Sequence, residues 1–386
     1  MADKSSIEWT DATWNIITGC TLVDEGCRHC YAAHLITRWP AIGNHPSRKG
    51  LARRNAAGQS KFTGDVRFNA QWLDQPLHWK KPRRIFVCAH GDLFHDSVPD
   101  DWIDQVFAVM ALAPQHTFQV LTKRPERAAK YLSADWAARA RFEVEGLVLP
   151  TISKAAGDAQ DMLRRYTAPA IPAPLPNVWL GTSISDQASA ELRIPHLLTC
   201  PAAVRFVSAE PLLAPLNLTK LDMLNIFRVL RAVDDQTWPR NSYDALRGRS
   251  DIHPIHGAEP DWGKLHWIIC GGESGPHARP MHPDWARSLR DQCQEAGVAF
   301  HFKQWGEWAP VVIEQNDAGE LTPAYPITGC SNPAAHNGGQ RALFWQGEDL
   351  VEWPYIKTRQ AIGGRRIGKK AAGRLLDGRE WNEVPQ

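Results

Sequence analysis

The sequence predicts an α/β fold, and three observations lead to that prediction. Short apolar segments of strand length recur along the chain, with segments of helical periodicity or long connections between them. Each apolar segment ends in a turn that carries polar residues or glycines. Strands that alternate with helices form parallel sheets with right-handed crossovers. We therefore expect a partial (β/α) barrel of the TIM type, with about six to seven parallel strands and long insertions; an open doubly wound sheet is the alternative.

Seven segments are predicted to be strands, because each is short, apolar and followed by a polar turn. They cover residues 14–18, 84–88, 117–121, 177–181, 204–207, 266–270 and 299–302. Apolar residues at helical spacing predict helices over 31–39, 126–132, 192–198 and 283–296. A further helix is expected to open at Pro99-Asp100-Asp101, where proline and two acids suit a first helical turn.

The predicted barrel spans residues 1–308 and carries insertions at about 133–176 and 214–264. Both insertions interrupt the alternation of strands and helices. Residues 309–386 are expected to form an irregular insertion followed by a basic C-terminal tail that packs on the barrel.

Composition limits the classes of function. The formal net charge is only +2, so no overall field favours nucleic acid or a membrane, and a polyanion would need a local basic patch. Eight cysteines among 386 residues are too sparse for a disulfide scaffold. The first residues lack the apolar core of a signal peptide, and no segment reaches the ~18 apolar residues of a membrane span. We expect a cytoplasmic, reduced protein that does not contact a membrane.

Three cysteines are clustered near the N-terminus with the spacing C-x6-C-x2-C, namely Cys20, Cys27 and Cys30. Thiolates suit a soft metal or an iron–sulfur cluster. Structural zinc sites usually have four protein ligands, whereas three cysteines leave one position of a cluster open. The residues alone leave three alternatives: an open iron–sulfur cluster, a zinc site completed by His29 or His34, or three unconnected cysteines.

Polar residues follow every predicted strand, at the edge where ligands bind in parallel α/β folds. They are Asp92, His95, Lys123, Arg124, Thr182, Ser183, Ser208, Glu210, Glu273, Ser274, Lys303 and Gln304. The glycines of Gly271-Gly272-Glu273-Ser274-Gly275 would let the backbone approach a ligand closely. Individual residues could equally serve as caps or ion pairs, for example Lys123 with Glu210. The set as a whole predicts a functional face.

Several motifs together resemble a phage- and prophage-associated family of unassigned function that is radical S-adenosylmethionine-like. They are Ile7-Glu8-Trp9-Thr10-Asp11, the cysteine loop, Asp92-Leu93-Phe94-His95, Leu121-Thr122-Lys123-Arg124-Pro125, Ser208-Ala209-Glu210-Pro211, Gly271-Gly272-Glu273-Ser274-Gly275 and Phe302-Lys303-Gln304-Trp305-Gly306. The resemblance implies a partial barrel with a [4Fe–4S] cluster on Cys20, Cys27 and Cys30. S-adenosylmethionine would bind the open iron, and its reductive cleavage would yield a 5′-deoxyadenosyl radical.

The resemblance also suggests roles for the strand-end residues. Contacts to the cofactor are expected from His29, Ser183, Glu210, Gly271, Gly272 and Glu273. Lys123, Lys303 and Asp92 are the candidate catalytic residues. Three features depart from the wider superfamily. The first gap between cysteines is six residues instead of three, His29 replaces the usual aromatic residue, and Gly271-Gly272-Glu273 follows a late strand instead of an early one.

The predicted function is that of a radical S-adenosylmethionine enzyme acting on a nucleic acid or nucleotide, with an external electron donor. Two alternatives remain at this point. One is a zinc-binding protein associated with nucleic acid. The other is a metal-dependent hydrolase that uses Asp92, His95, Glu210 and Glu273, with structural cysteines. The sequence predicts no particular oligomeric state.

Overall fold

The computed structural model describes residues 5–134, 136–143, 173–222, 242–250, 263–315, 321–324, 342–346, 349–352 and 362–385. Its centre is a sheet of seven parallel strands that curls into half a barrel, with helices against it. In chain order these strands are β1 (Ala12–Trp14), β6 (Arg84–Val87), β7 (Thr117–Thr122), β8 (Val178–Ile184), β9 (Val204–Ala209), β13 (Trp267–Gly271) and β14 (Ala299–Gln304). Their order in the sheet follows the chain, as in a partial (β/α) barrel.

In chain order, all the described helices except the last lie between these strands. The helices are α1 (Tyr31–Arg38), α2 (Pro40–Gly43), α3 (Asp100–Leu112), α4 (Pro125–Ser133), α5 (Trp136–Glu143), α6 (Gln187–Thr199), α7 (Pro283–Ala296) and α8 (Lys369–Ala372). Local sequence sets the ends of α7: the His282 ring accepts a hydrogen bond from the Asp284 N–H, and Gly297 ends the helix with a positive φ of 65°. The predicted bounds of this helix are therefore confirmed.

Side chains alternate between two faces of each central strand, and each face has its own apolar core. On the outer face, Ile85, Val120 and Phe300 belong to the large cluster that also includes buried residues of the helices. On the inner face, Phe86, Phe206 and Trp267 form a second cluster around Trp9, whose ring centroid is 4.8 Å from that of Phe86. The inner core fills the amino-terminal half of the barrel and leaves polar residues at the carboxyl ends of the strands.

Further strands form small antiparallel sheets around this core. β2 (Ile17–Thr18) pairs with β5 (Arg67–Phe68), and β3 (Ala52–Arg54) pairs with β4 (Ser60–Phe62). A third small sheet contains β10 (Leu221–Asp222), β11 (Ser242–Asp244) and β12 (Arg249–Ser250).

The segment after the barrel is more regular than the sequence predicted. A five-stranded antiparallel sheet contains β15 (Trp308–Gln315), β16 (Leu321–Ala324), β17 (Ala342–Gln346), β18 (Asp349–Glu352) and β19 (Ile362–Arg366). Glycine- and asparagine-rich sequence between these strands obscured their alternation. The C-terminal residues pack along β14: the Phe302 N–H donates to the Trp381 carbonyl at 2.9 Å, which covers the edge of the parallel sheet.

Most of the predicted insertions at 133–176 and 214–264 lie outside the described residues. Within the described parts of the chain, no helix has the length and apolarity that a membrane span requires.

Candidate functional site

A cavity of about 390 Å³ opens at the carboxyl ends of the parallel strands. Eleven of the twelve residues predicted to form the site contribute to its wall. They are Cys20, Cys27, His29, Cys30, Asp92, Lys123, Ser183, Glu210, Gly272, Glu273 and Lys303. Gly271 is the twelfth, and it does not line the cavity. The prediction that strand-end residues meet at one face follows from the parallel strands, which all end at the same edge.

The three clustered cysteines belong to the loop between β2 and α1. All three are free thiols with partial exposure, whereas Cys88, Cys200, Cys270 and Cys293 are buried. Among the described residues, no three His, Cys, Asp or Glu side chains are already close enough together to hold a metal ion. The cysteine loop (residues 20–30) therefore places its thiols at one cavity without gathering them into a complete ligand set.

The protonated form is favoured at Cys20 and Cys30. Burial raises the pKa of Cys20 to about 12, and the Asp92 carboxylate adds to the shift. Burial also raises the pKa of Cys30. Arg124 has the opposite effect on the pKa of Cys20. Its guanidinium Nη1 lies 3.8 Å from Cys20 Sγ, and this positive charge favours the thiolate. A bound metal would displace these protons, because the ligand is the thiolate.

Asp24 links the cysteine loop to the strands. Its Oδ1 lies 2.8 Å from Lys123 Nζ, just after β7, and its Oδ2 lies 2.5 Å from Nη2 of Arg193 on α6. Burial alone would raise the pKa of Asp24, but the two cations lower it to about 2. Arg193 is 3 % exposed and also donates to the Ser183 carbonyl at 2.8 Å. The carboxylate is therefore ionised and fixes the loop over β7 and β8.

Arg279 links the other side of the loop to β13. It makes two side-chain hydrogen bonds to Glu273, of 2.6 Å from Nη2 and 2.8 Å from Nε. The same Nη2 donates to the carbonyl oxygen of Glu25 in the cysteine loop at 2.9 Å. Glu273 is 5 % exposed, and the bidentate pair with Arg279 compensates its buried charge.

A further ion pair links the ends of β9 and β14. Lys303 Nζ is 3.0 Å from Glu210 Oε1, and the Ser208 hydroxyl donates to Glu210 Oε2 at 3.2 Å. The Ser183 hydroxyl donates to the Glu210 carbonyl at 3.2 Å. These four residues follow each other around the inner face at the level of the cavity.

Asp92 connects the ends of β6 and β7. Its Oδ1 accepts a hydrogen bond of 2.7 Å from the Thr122 hydroxyl, and its Oδ2 accepts bonds of 3.1 Å from the Lys123 N–H and the Arg124 guanidinium. Both oxygens of this 5 % exposed carboxylate are occupied. The contacts give Asp92 a structural role that sequence reasoning did not assign.

The two glycines at the end of β13, Gly271 and Gly272, are needed for close packing. A Cβ at Gly271 would lie 2.6 Å from Glu210 Oε1, and a Cβ at Gly272 would overlap the Trp305 carbonyl. Gly271 thus makes room for the Glu210 carboxylate without lining the cavity itself. Of these two glycines, Gly272 lines the cavity.

The His29 ring lines the cavity. A second histidine, His277, lies beside it, with 5.7 Å between the two ring centroids. Burial lowers the pKa of His29, so the neutral ring is favoured near neutral pH. A neutral imidazole can accept as well as donate a hydrogen bond.

Sequence reasoning missed Asp24, Arg193 and Arg279, which position the cysteine loop. It also missed Trp9 and residues 6–8 at the cavity wall. Asp24 could have been noticed, because it is an acid inside the cysteine motif itself. Nothing local marks the two arginines as contacts of the cysteine loop, because their partners in the loop, Asp24 and Glu25, lie far away along the chain.

The fold and site define an α/β partial-barrel protein with a cysteine-lined cavity at the carboxyl ends of its strands. A family described as "Protein of unknown function (DUF5131)" matches residues 4–385, and the chain therefore belongs to this family. Neither the curated proteins nor the solved structures gave a match to the chain.

Proposed function

We propose that this chain is a radical S-adenosylmethionine enzyme that acts on a nucleic acid or nucleotide. The observation that carries the proposal is the placement of three free thiols, Cys20, Cys27 and Cys30, at one cavity at the carboxyl ends of seven parallel strands. The resemblance of the motifs to the radical S-adenosylmethionine-like family adds support. The localisation that we propose is cytoplasmic, where thiols stay reduced.

The donor set fits a [4Fe–4S] cluster in type and number, because thiolates are its usual ligands and three of them leave one iron open. The cysteine loop must draw the thiols together on binding, since they are not in metal-binding range beforehand. When bound, the cluster and an external electron donor would supply the reductive cleavage of S-adenosylmethionine into methionine and a 5′-deoxyadenosyl radical that abstracts a hydrogen atom.

The protein's own residues would bind the cofactor, orient it and offset charge. Lys123 and Arg124 lie beside the cysteine loop, where their positive charges favour thiolates. His29, Ser183 and Glu210 line the cavity and are the proposed contacts of S-adenosylmethionine. The inner apolar core around Trp9 closes the cavity from below and keeps water from a reactive species.

The ion pairs favour this proposal over a metal-dependent hydrolase. Each carboxylate that a hydrolase would use already pairs with a cation: Asp92 with Arg124, Glu210 with Lys303, and Glu273 with Arg279. A hydrolytic metal would have to displace three cations.

The test is anaerobic reconstitution with iron and sulfide, followed by metal analysis and electron paramagnetic resonance of the reduced protein. We expect about four irons per chain, a spectrum that changes with S-adenosylmethionine, and release of 5′-deoxyadenosine. Single substitutions Cys20→Ala, Cys27→Ala and Cys30→Ala should each abolish cluster binding and this release.

The matched control is Cys293→Ala, which removes a buried thiol on α7. It should keep the full iron content. One bound zinc without iron, or iron content unaffected by the loop substitutions, would overturn the proposal.

A further inference from the structure

The segment after the second loop cysteine has an unusual charge. Residues 28–64 contain seven Lys and Arg residues and no Asp or Glu, in a chain with 44 basic and 42 acidic residues. We call this segment the basic arm. Its cations are Arg28, Arg38, Arg48, Lys49, Arg53, Arg54 and Lys61. The charge of the whole chain hides this local excess.

The fold gathers several of these cations. The basic arm consists of α1, α2 and the β3–β4 hairpin, which packs on α1 through the pair of hydroxyls of Thr37 and Ser60 at 2.5 Å. Arg53 and Lys61 are opposite each other in the hairpin and share one of its faces. The antiparallel pairing thus brings together charges that are eight residues apart in sequence.

These cations are available to a partner. Within the described parts of the chain, no acidic side chain forms an ion pair with Arg38, Arg53 or Arg54, and all three are exposed. The aromatic residues Tyr31 and Trp39 are 54 % and 53 % exposed. The Arg38 guanidinium carbon lies over the Trp39 ring, 5.5 Å from its centroid. An exposed indole beside cations is typical of surfaces on which bases stack.

The basic arm continues into the candidate site. Lys61 Nζ donates at 3.1 Å to the carbonyl of Arg28, which belongs to the cysteine loop as well. His29, Tyr31 and Phe62 belong to both the basic arm and the wall of the cavity. A strand bound along the arm would therefore reach the cavity mouth. The volume of about 390 Å³ lies in the range of pockets that take small organic groups.

We propose that the basic arm binds a single-stranded nucleic acid, with phosphates at Arg53, Arg54 and Lys61 and an unpaired base on Trp39. Arginine and lysine without acidic neighbours match the phosphate charge, and an exposed aromatic ring matches an unstacked base. A duplex fits less well, because its bases are stacked inside and would have to be extruded to reach a cavity. Binding of nucleic acid by the basic arm does not depend on the proposed function. Only the delivery of a nucleotide to the cavity rests on it.

The test is fluorescence anisotropy of the full chain with a fluorescein-labelled, mixed-sequence strand of about 20 nucleotides, as DNA and as RNA. Measurements at several salt concentrations use protein both without iron and after anaerobic reconstitution. We expect affinity that falls steeply with salt. The double variant R53E/R54E should weaken binding at least about tenfold and reduce the salt dependence.

Trp39→Ala should weaken binding about tenfold and leave the salt dependence unchanged, because it removes stacking instead of a phosphate contact. The matched control is K80E/K81E, which reverses an adjacent pair of exposed cations before β6, at the opposite end of the sheet. This control should bind like the wild type.

Four outcomes would overturn the inference: no binding of either strand, equal loss in K80E/K81E, displacement of the strand by polyglutamate as effectively as by unlabelled single strand, or more effective displacement by an unlabelled duplex. Displacement by polyglutamate would indicate an acidic protein as the partner. Binding by protein without iron keeps this inference separate from the proposed function. A chain that acquires a cluster yet binds no strand would overturn the inference alone.

Discussion

The Asp24 carboxylate inside the cysteine loop lies 2.8 Å from the ammonium group of Lys123, which follows β7. The same carboxylate reaches Arg193, which is almost fully buried. One acid thus joins the loop that carries the thiols to two elements of the barrel. Asp24 therefore helps to hold the cysteine loop in its position against the barrel.

Replacing Asp24→Asn should destabilise the protein by about 2–3 kcal/mol, since two partly buried cations lose their compensating charge. Urea unfolding followed by tryptophan fluorescence measures this change in the free energy of unfolding. The matched control is Glu25→Gln on the same loop, whose side chain is 58 % exposed. It should cost less than about 1 kcal/mol. Equal effects of the two substitutions would contradict the role given to Asp24.

Arg279→Gln should destabilise by about 3 kcal/mol, because it leaves the buried Glu273 carboxylate without its cation. Adding Glu273→Gln should recover part of this loss, since the double variant buries no unpaired charge. A double-mutant cycle from chemical denaturation gives the coupling energy. Arg287→Gln serves as control, because its partners Asp284 and Asp377 are surface residues. Additive effects of the Arg279 and Glu273 substitutions would argue against the pair.

Gly26→Ala should displace the cysteine loop. The added Cβ would overlap the Ser185 hydroxyl and lie 2.7 Å from Lys123 Nζ. We expect faster reaction of the loop thiols with a disulfide reagent, because a displaced loop exposes them. Ser185→Ala alone should react like the wild type, since this hydroxyl has no hydrogen-bond partner among the described residues. The double variant should return towards the wild-type rate. If it reacts as fast as Gly26→Ala alone, the clash with the Ser185 hydroxyl is not the cause of the faster reaction.

Stability should fall in mild acid because of His301 on β14. Burial lowers the pKa of His301 to about 3, and Arg374 and Lys303 contribute. The ring is neutral in the folded protein, whereas the unfolded chain binds a proton below about pH 6.5. The stability from this difference is fully present above pH 6.5 and is lost as pH falls towards 3, by up to about 1.4 kcal/mol per pH unit.

His301→Phe should reduce this loss, since both ring nitrogens lack hydrogen-bond partners among the described residues and no polar contact is sacrificed. Comparing urea midpoints at about pH 7 and pH 5 measures the effect. His78→Gln, at a histidine whose side chain is 55 % exposed, is the control and should behave like the wild type. An unchanged pH dependence in His301→Phe would show that other groups cause the acid sensitivity.

Much of the site could be predicted, because strand ends are visible in a sequence. Lys123 and Lys303 directly follow or end apolar segments, and parallel strands bring such positions to one edge. Their partners could not be predicted in the same way. The pairing of Lys303 with Glu210, and not of Lys123 with Glu210, depends on the order and curvature of the strands.

The sequence by itself determined the alternation of strands and helices and the place of the cysteine loop near the first strand. It also determined most of the polar residues at the cavity. These are local properties, since the period of apolar residues and the turn residues suffice to predict them. Only the tertiary structure decided that Asp24 and Arg279 position the loop and that Gly271 makes room for Glu210. Such contacts join residues that are far apart in sequence, and they depend on distances that the folded sheet alone sets.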